Sequence, residues 1–281
     1  LKQTNNCIVV LKTVVTIMLL SVLEISLSLD NAVVNATVLA RMNEVWKKRF
    51  LTWGMLIAVF GMRLLFPIVI VSMTASISIL ESVQMALLDP LKYSNLMLST
   101  HFAVSSYGGA FLLMVFLHFF INADKDLHWI PIIEKPFTKF GYFKSVELLI
   151  ALVVLVAINK FLPIEKSHEF IMSYLWGIIT FLAVHGVSEL LEGSALQKIK
   201  FLSSGLGTFL YLEVLDASFS FDGVVGAFAI SHELIIIIIG LSVGAFFVRG
   251  ITLYLVENNT LDQFKFIEHG AFYALGTLAF I

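Results

Sequence analysis

The chain has 281 residues, 59% hydrophobic and only 14% charged, and its mean hydropathy of +0.94 leaves too little polar surface to coat a soluble globule of this size. A formal net charge of −2 gives nucleic-acid binding no support. The single cysteine, Cys7, excludes an intrachain disulfide and a cysteine-built metal cluster.

The expected fold class is an all-α polytopic membrane protein, one transmembrane domain over 1–281. A membrane-crossing helix needs about 20 mostly apolar residues. Taken in chain order, such runs predict about eight spans, beginning with a long run at 8–40 that should be broken, then 51–75 and 99–122. The stretch 77–90 between them is too short and polar to cross and reads as an interfacial helix or connector. A polar segment, 123–145, carries Asp124, Lys125, Asp126, Lys135 and Lys139 with Pro131 and Pro136 and is expected as an ordered loop. It divides a first part (about 8–122) from a second (about 146–281) with runs at 146–162, 168–190, 204–230, 234–256 and 266–281. Lys and Arg fall 11 to 4 on alternate sides of this layout, which puts the N-terminus away from the cytoplasm. Leu1 is not an initiator methionine, so the chain is expected to begin inside a longer one.

Within the first run, "EISLSLDNAVVNA" carries Glu24, Asp30, Asn31 and Asn35 into a hydrocarbon environment where a charge costs a few kcal/mol or more. The stretch has a partner: aligning it with "DASFSFDGVVGAFA" superposes Glu24 on Asp216, Ser26 on Ser218, Ser28 on Ser220, Asp30 on Asp222 and Val33 on Val225 without a gap. Each copy is followed by an arginine in the next span, Arg63 and Arg249. By the span count the copies cross in opposite directions, the arrangement of inverted repeats that build midplane ion sites in secondary transporters. On an unbroken helix Glu24, Ser28, Asn31 and Asn35 share a face while Asp30 points about 120° away, and in the second copy Glu213, Asp216 and Ser220 share a face that excludes Asp222. Both acids of a copy could reach one ion only through local unwinding, so breaks are predicted near 26–31 and 218–223.

Carboxylates, an Asn amide, hydroxyls and freed carbonyls suit hard or borderline divalent cations such as manganese, calcium or magnesium. The candidate metal residues are Glu24, Asp30, Asn31, Glu213, Asp216 and Asp222, with Arg63 and Arg249 as charge-compensating or gating groups. The bland alternative is a pair of permanent buried ion pairs without a substrate. His185 and Glu189 are one helical turn apart, but without a counterpart in the other half they read as a hydrogen-bonded pair. His101 and His118 flank a span in which Gly108 and Gly109 read as a close helix contact. "SHELI" lacks the second histidine of the zinc-protease helix, and there is no Walker loop, nucleophile elbow or dinucleotide fingerprint, so neither an enzyme nor an ATP-driven pump is expected.

With "EISLSLDNAVV", "EVLDASFSFDGVV" and "VRGITLY" in place, the chain resembles the TerC family of integral membrane proteins, within the LysE-type exporter superfamily. "THFAVSSYGGAFLLMVFLHFF" and "WIPIIEKP" resemble its branch with a long middle loop. The resemblance implies divalent metal efflux, chiefly of manganese, across the cytoplasmic membrane, with ion-handling carboxylates at Glu24, Asp30, Glu213, Asp216 and Asp222. The metal ion and the lipid bilayer are then the partners, and no resident cofactor is implied. One departure is Gly223, where many relatives carry serine. A membrane scaffold that aids insertion or metal loading of exported proteins, and an exporter of a small organic solute, are the alternatives.

Overall fold

In hydrocarbon, backbone polar groups must be satisfied within the chain, which favours helices. The computed structural model describes residues 2–40, 42–121, 127–140, 145–192, 205–258 and 266–280, apart from the side chains of 2–9, 74, 138–140, 187–192, 218–219 and 221–222; among these residues every regular element is helical. The side chains of Cys7, Glu189, Ser218 and Asp222 therefore lie outside the described residues, with the expectations placed on them.

The order is α1 (Lys2–Leu27), α2 (Leu29–Ala40), then a rod that starts as α3 (Glu44–Arg49), widens into π-helical stretches at Phe50–Gly54 and Ile57–Leu65, and ends as α4 (Phe66–Ala75). Short helices α5 (Ile79–Leu88) and α6 (Pro90–Ser99) follow; α5 falls on the stretch 77–90 expected as an interfacial helix or connector, and α6 runs on beyond it. A capping box between Ser78 and Glu81 starts α5, and Asp89 caps α6 ahead of Pro90. The remaining helices are α7 (His101–Ile121), α8 (Pro131–Phe140), α9 (Val146–Asn159), α10 (Ile164–Glu192), α11 (Leu206–Ile230), α12 (Leu234–Glu257) and α13 (Ile267–Leu278).

The chain is a polytopic membrane protein. Among the described residues five helices are long and apolar enough to cross: Val10–Leu27, the rod Glu44–Met73, α7, Ile164–Gly186 and α12. Their outward faces carry residues such as Met18, Phe60, Trp176 and Phe246, each more than half exposed, as suits contact with lipid. The expected spans at 146–162 and 266–281 correspond to helices of 14 and 12 residues, about 21 and 18 Å, against about 30 Å of hydrocarbon. The one at 204–230 is long enough as α11 but carries Glu213, Asp216 and Asp222. The middle segment is also not simply a loop. Pro131 opens α8, and the buried Glu134 carboxylate accepts the Trp129 and Ile130 N–H groups and the Tyr273 hydroxyl, tying α8 to α13.

Residue pairs fix the helix directions. α1 and α12 run parallel, with Gly240 against Leu20 and Gly244 against Glu24. α7 and α10 also run parallel, Phe111 facing Phe181 at 5.9 Å and His118 facing His185 at 4.5 Å. α13 is antiparallel to α7, with Gly109 against Ala279 and Phe119 stacked on Phe272 at 3.8 Å. Gly109 thus makes the close contact expected of it. One apolar core joins α7, α9, α10 and α13, a second joins α1, α4, α6 and α12, and α11 contributes to both.

A Cβ at Gly240 would lie 2.6 Å from the Leu20 Cβ and 3.2 Å from the Ile17 carbonyl. Gly240→Leu should therefore cost about 1–3 kcal/mol by overpacking α1 against α12, read as a lowered midpoint of thermal unfolding in micelles.

Candidate cation site

The break predicted in the first copy is present but smaller than expected. It is a one-residue bend at Ser28, whose N–H donates to the Glu24 carbonyl at 3.0 Å and whose hydroxyl donates to Glu24 Oε1 at 3.2 Å. The bend puts Asp30 in the first turn of α2, where the helix dipole favours a carboxylate and its Oδ1 accepts the Asn31 N–H at 2.9 Å. Asp30 stays half-buried and outside the charge cluster described next. The second predicted break, near 218–223, is absent: α11 is continuous from Leu206 to Ile230. Glu213, Asp216 and Ser220 already share a face at i, i+3 and i+7, so gathering them needs no unwinding.

α1–α2 runs antiparallel to α11, and the contact is reciprocal. Asn31 Nδ2 donates to Asp216 Oδ1 at 2.8 Å, while Gly223, the residue aligned with Asn31, lies against Glu24, the residue aligned with Asp216: a Cβ there would be 2.8 Å from Glu24 Oε2. Each acid is paired with the arginine of the following span. Arg63 Nη2 donates to Glu24 Oε1 and Nη1 to the Ala58 carbonyl at 2.7 Å. Arg249 Nη2 stands 3.8 Å from Asp216 Oδ2, with its guanidinium 3.9 Å over the Phe50 ring. Glu24, Asn31, Asn35, Arg63, Glu213, Asp216 and Arg249 are all at most 9% exposed.

Asn35, on the Asn31 face one turn on, also donates from Nδ2 to Asp216 Oδ1, at 3.4 Å. Both acids, both asparagines and both arginines border a cavity of about 10 Å³, near the size that admits one water-sized body. Glu24 Oε2, Asn31 Oδ1 and Asn35 Oδ1 are buried acceptors without a hydrogen-bond donor. Among the described residues no three His, Cys, Asp or Glu side chains form a metal cluster. The oxygen set here is mixed, two carboxylates and two amides, with the carboxylates held by arginine. Glu213 is one turn before Asp216, against Gly54 of the rod, and does not border the cavity.

Sequence reasoning passed over Gly54, Gly244, Phe50 and Thr252. The glycines admit carboxylates to helix surfaces; a Cβ at Gly244 would sit 2.5 Å from the Glu24 Cβ. The repeat register also extends backwards, Val22–Leu23 matching Val214–Leu215, which places Ser21 opposite Glu213. His118 bonds Glu147 at 3.2 Å, and His185 stacks on Phe181, so both histidines lie outside the cluster. A much larger cavity of about 1070 Å³, lined by residues such as Met62, Phe66, Leu112, Trp176, Val214 and Val225, is mainly apolar and lies apart from the charges.

Residues 29–281 match the family described as "Protein of unknown function (DUF475)". The chain belongs to that family. No curated protein and no solved structure matches it.

The two arginines should differ in worth. Arg63→Gln leaves Glu24 buried without its cation and should cost about 3–5 kcal/mol of stability. Arg249→Gln should cost less, because no hydrogen bond joins it to Asp216. Denaturant titration of the purified variants ranks them.

Proposed function

We propose that this DUF475 protein is a secondary transporter that exports a divalent metal cation, manganese by preference, across the cytoplasmic membrane. The cation would bind between Glu24 and Asp216, with Asn31 and Asn35 supplying amide oxygens, while Asp30 and Glu213 stand off the cavity. One observation carries the reading: two buried carboxylates from antiparallel segments, each with an arginine as its counterion, meet at a cavity bordered by three acceptor oxygens without donors. Intramembrane charges are rare and mark ion pathways. The arginines act as internal counterions that hold the acids when no metal is bound and release them when one enters, so the site alternates between two neutralised forms.

The reciprocal contacts support an inverted repeat. Arg63 with Glu24 answers Arg249 with Asp216, and Asn31 with Asp216 answers Gly223 with Glu24. Residue i of one copy meets j of the other and j meets i, as a two-fold axis requires. The parallel and antiparallel pairs in the fold support eight alternating crossings, in which the short helices α9 and α13 would cross with local thinning of the bilayer. The resemblance of the acidic motifs to the TerC family supports manganese as the cargo.

A second reading, export of a small organic solute, draws on the apolar cavity of about 1070 Å³, large enough for a drug-sized molecule. A scaffold role predicts no flux of any kind.

Cells expressing Glu24→Gln or Asp216→Asn should accumulate manganese relative to wild type, and Asp30→Asn and Asp222→Asn test the outer acids in the same assay. Wild-type protein in proteoliposomes should carry Mn²⁺. Export by Asp216→Asn equal to wild type, or proteoliposomes without Mn²⁺ flux, would overturn the proposal.

A further inference from the structure

Arg249 has two carboxylates near it and is hydrogen-bonded to neither. Its Nη2 is 3.8 Å from Asp216 Oδ2, and both Nη atoms are buried without a hydrogen-bond acceptor. Glu213, one turn before Asp216, is also near Arg249, and its Oε1 is likewise buried without a donor. A Cβ added at Gly54 would meet Glu213 Oε1 at 2.5 Å and Arg249 Nη1 at 3.3 Å, which puts those two atoms within about 6 Å of each other across the bare glycine. The guanidinium lies over the Phe50 ring, a surface that holds a cation without fixing it to one acceptor.

The first copy has no such arrangement. Ser21 occupies the position aligned with Glu213, and its hydroxyl donates to the Ile17 and Gly240 carbonyls. Arg63 is anchored by the Ala58 carbonyl as well as by Glu24. The copies thus differ at this position, and among the described residues only the second offers its arginine another anion.

We propose that Glu213 is not an ion ligand but the second seat of Arg249: when a divalent cation takes Asp216, the guanidinium slides across Phe50 from Asp216 to Glu213, while Arg63 stays in place. This rests on the reading of Glu24 and Asp216 as a cation site. Without Glu213, a cation at Asp216 would face a buried guanidinium with no anion to hold it, so occupancy by the metal would be opposed by like charge. Glu213 is a positioning residue, and Gly54 is the opening that lets the two groups meet.

Mn²⁺ binding by the purified full chain, followed by the loss of the free-ion paramagnetic resonance signal, separates the roles. Glu213→Gln should weaken binding about tenfold or more, whereas in an Arg249→Gln background the same change should alter it by no more than about threefold, because the competing cation is gone. Gly54→Ala, which crowds Glu213 Oε1, should show the same dependence on Arg249 and serves if Glu213→Gln folds poorly. An equal loss in both backgrounds would make Glu213 a direct ligand and overturn the hand-off, as would no loss in either, and both results leave the cation site standing. A wild-type chain that binds no Mn²⁺ overturns the cation site and the hand-off with it.

Discussion

The architecture turns on placing two carboxylate–arginine pairs in a hydrocarbon interior. An isolated charge there is prohibitive, and even a matched pair barely repays its desolvation unless the remaining donors and acceptors are met. Glu24 Oε1 takes Arg63 and Ser28 and Asp216 Oδ1 takes Asn31 and Asn35, which leaves Glu24 Oε2 without a donor and Arg249 at a distance. The helices must therefore approach closely, which explains why glycines line the approach. Gly223 and Gly244 face Glu24, Gly54 faces Glu213, and Gly240 lets α12 seat on α1. In lipid, where apolar surface gives helices little reason to associate, small residues and polar contacts fix the geometry.

The contacts around the two pairs are reciprocal but not equal. Antiparallel packing of α1–α2 on α11 brings aligned residues into reciprocal contact. Sequence differences then make the copies unequal: Asn31 against Gly223 and Ser21 against Glu213. One arginine is fixed at two points and the other rests on an aromatic ring. A symmetric pair would hold its counterions equally, whereas here Arg63 is hydrogen-bonded and Arg249 is not.

Much of this was legible from the residues. The acid spacing pointed to the bend, found at Ser28, and the alignment of Glu24 with Asp216 pointed to the pairing with Arg63 and Arg249. The helix expected to break at 218–223, so that Asp216 and Asp222 could reach one ion, is instead continuous. Asp30 was expected beside Glu24, but a single-residue bend turns it to the α2 N-terminus instead. Helix α8 was hidden by Pro131 and Pro136, which read as loop residues although the first of them starts a helix. Gly54 and Phe50 gave no signal in the sequence, since their importance comes from a partner more than 150 residues away. Span ends were also beyond periodicity: α9 and α13 are shorter than the apolar runs that contain them.

The central claim is that Glu24 and Asp216 meet around a divalent cation. Its most direct test is anomalous diffraction from crystals soaked with manganese. The account predicts one strong peak between α1–α2 and α11, within coordination distance of Glu24, Asp216 and an amide oxygen of Asn31 or Asn35. Crystals that take up manganese elsewhere while both acids keep their arginines would contradict it, and would leave the buried pairs as structural bonds alone.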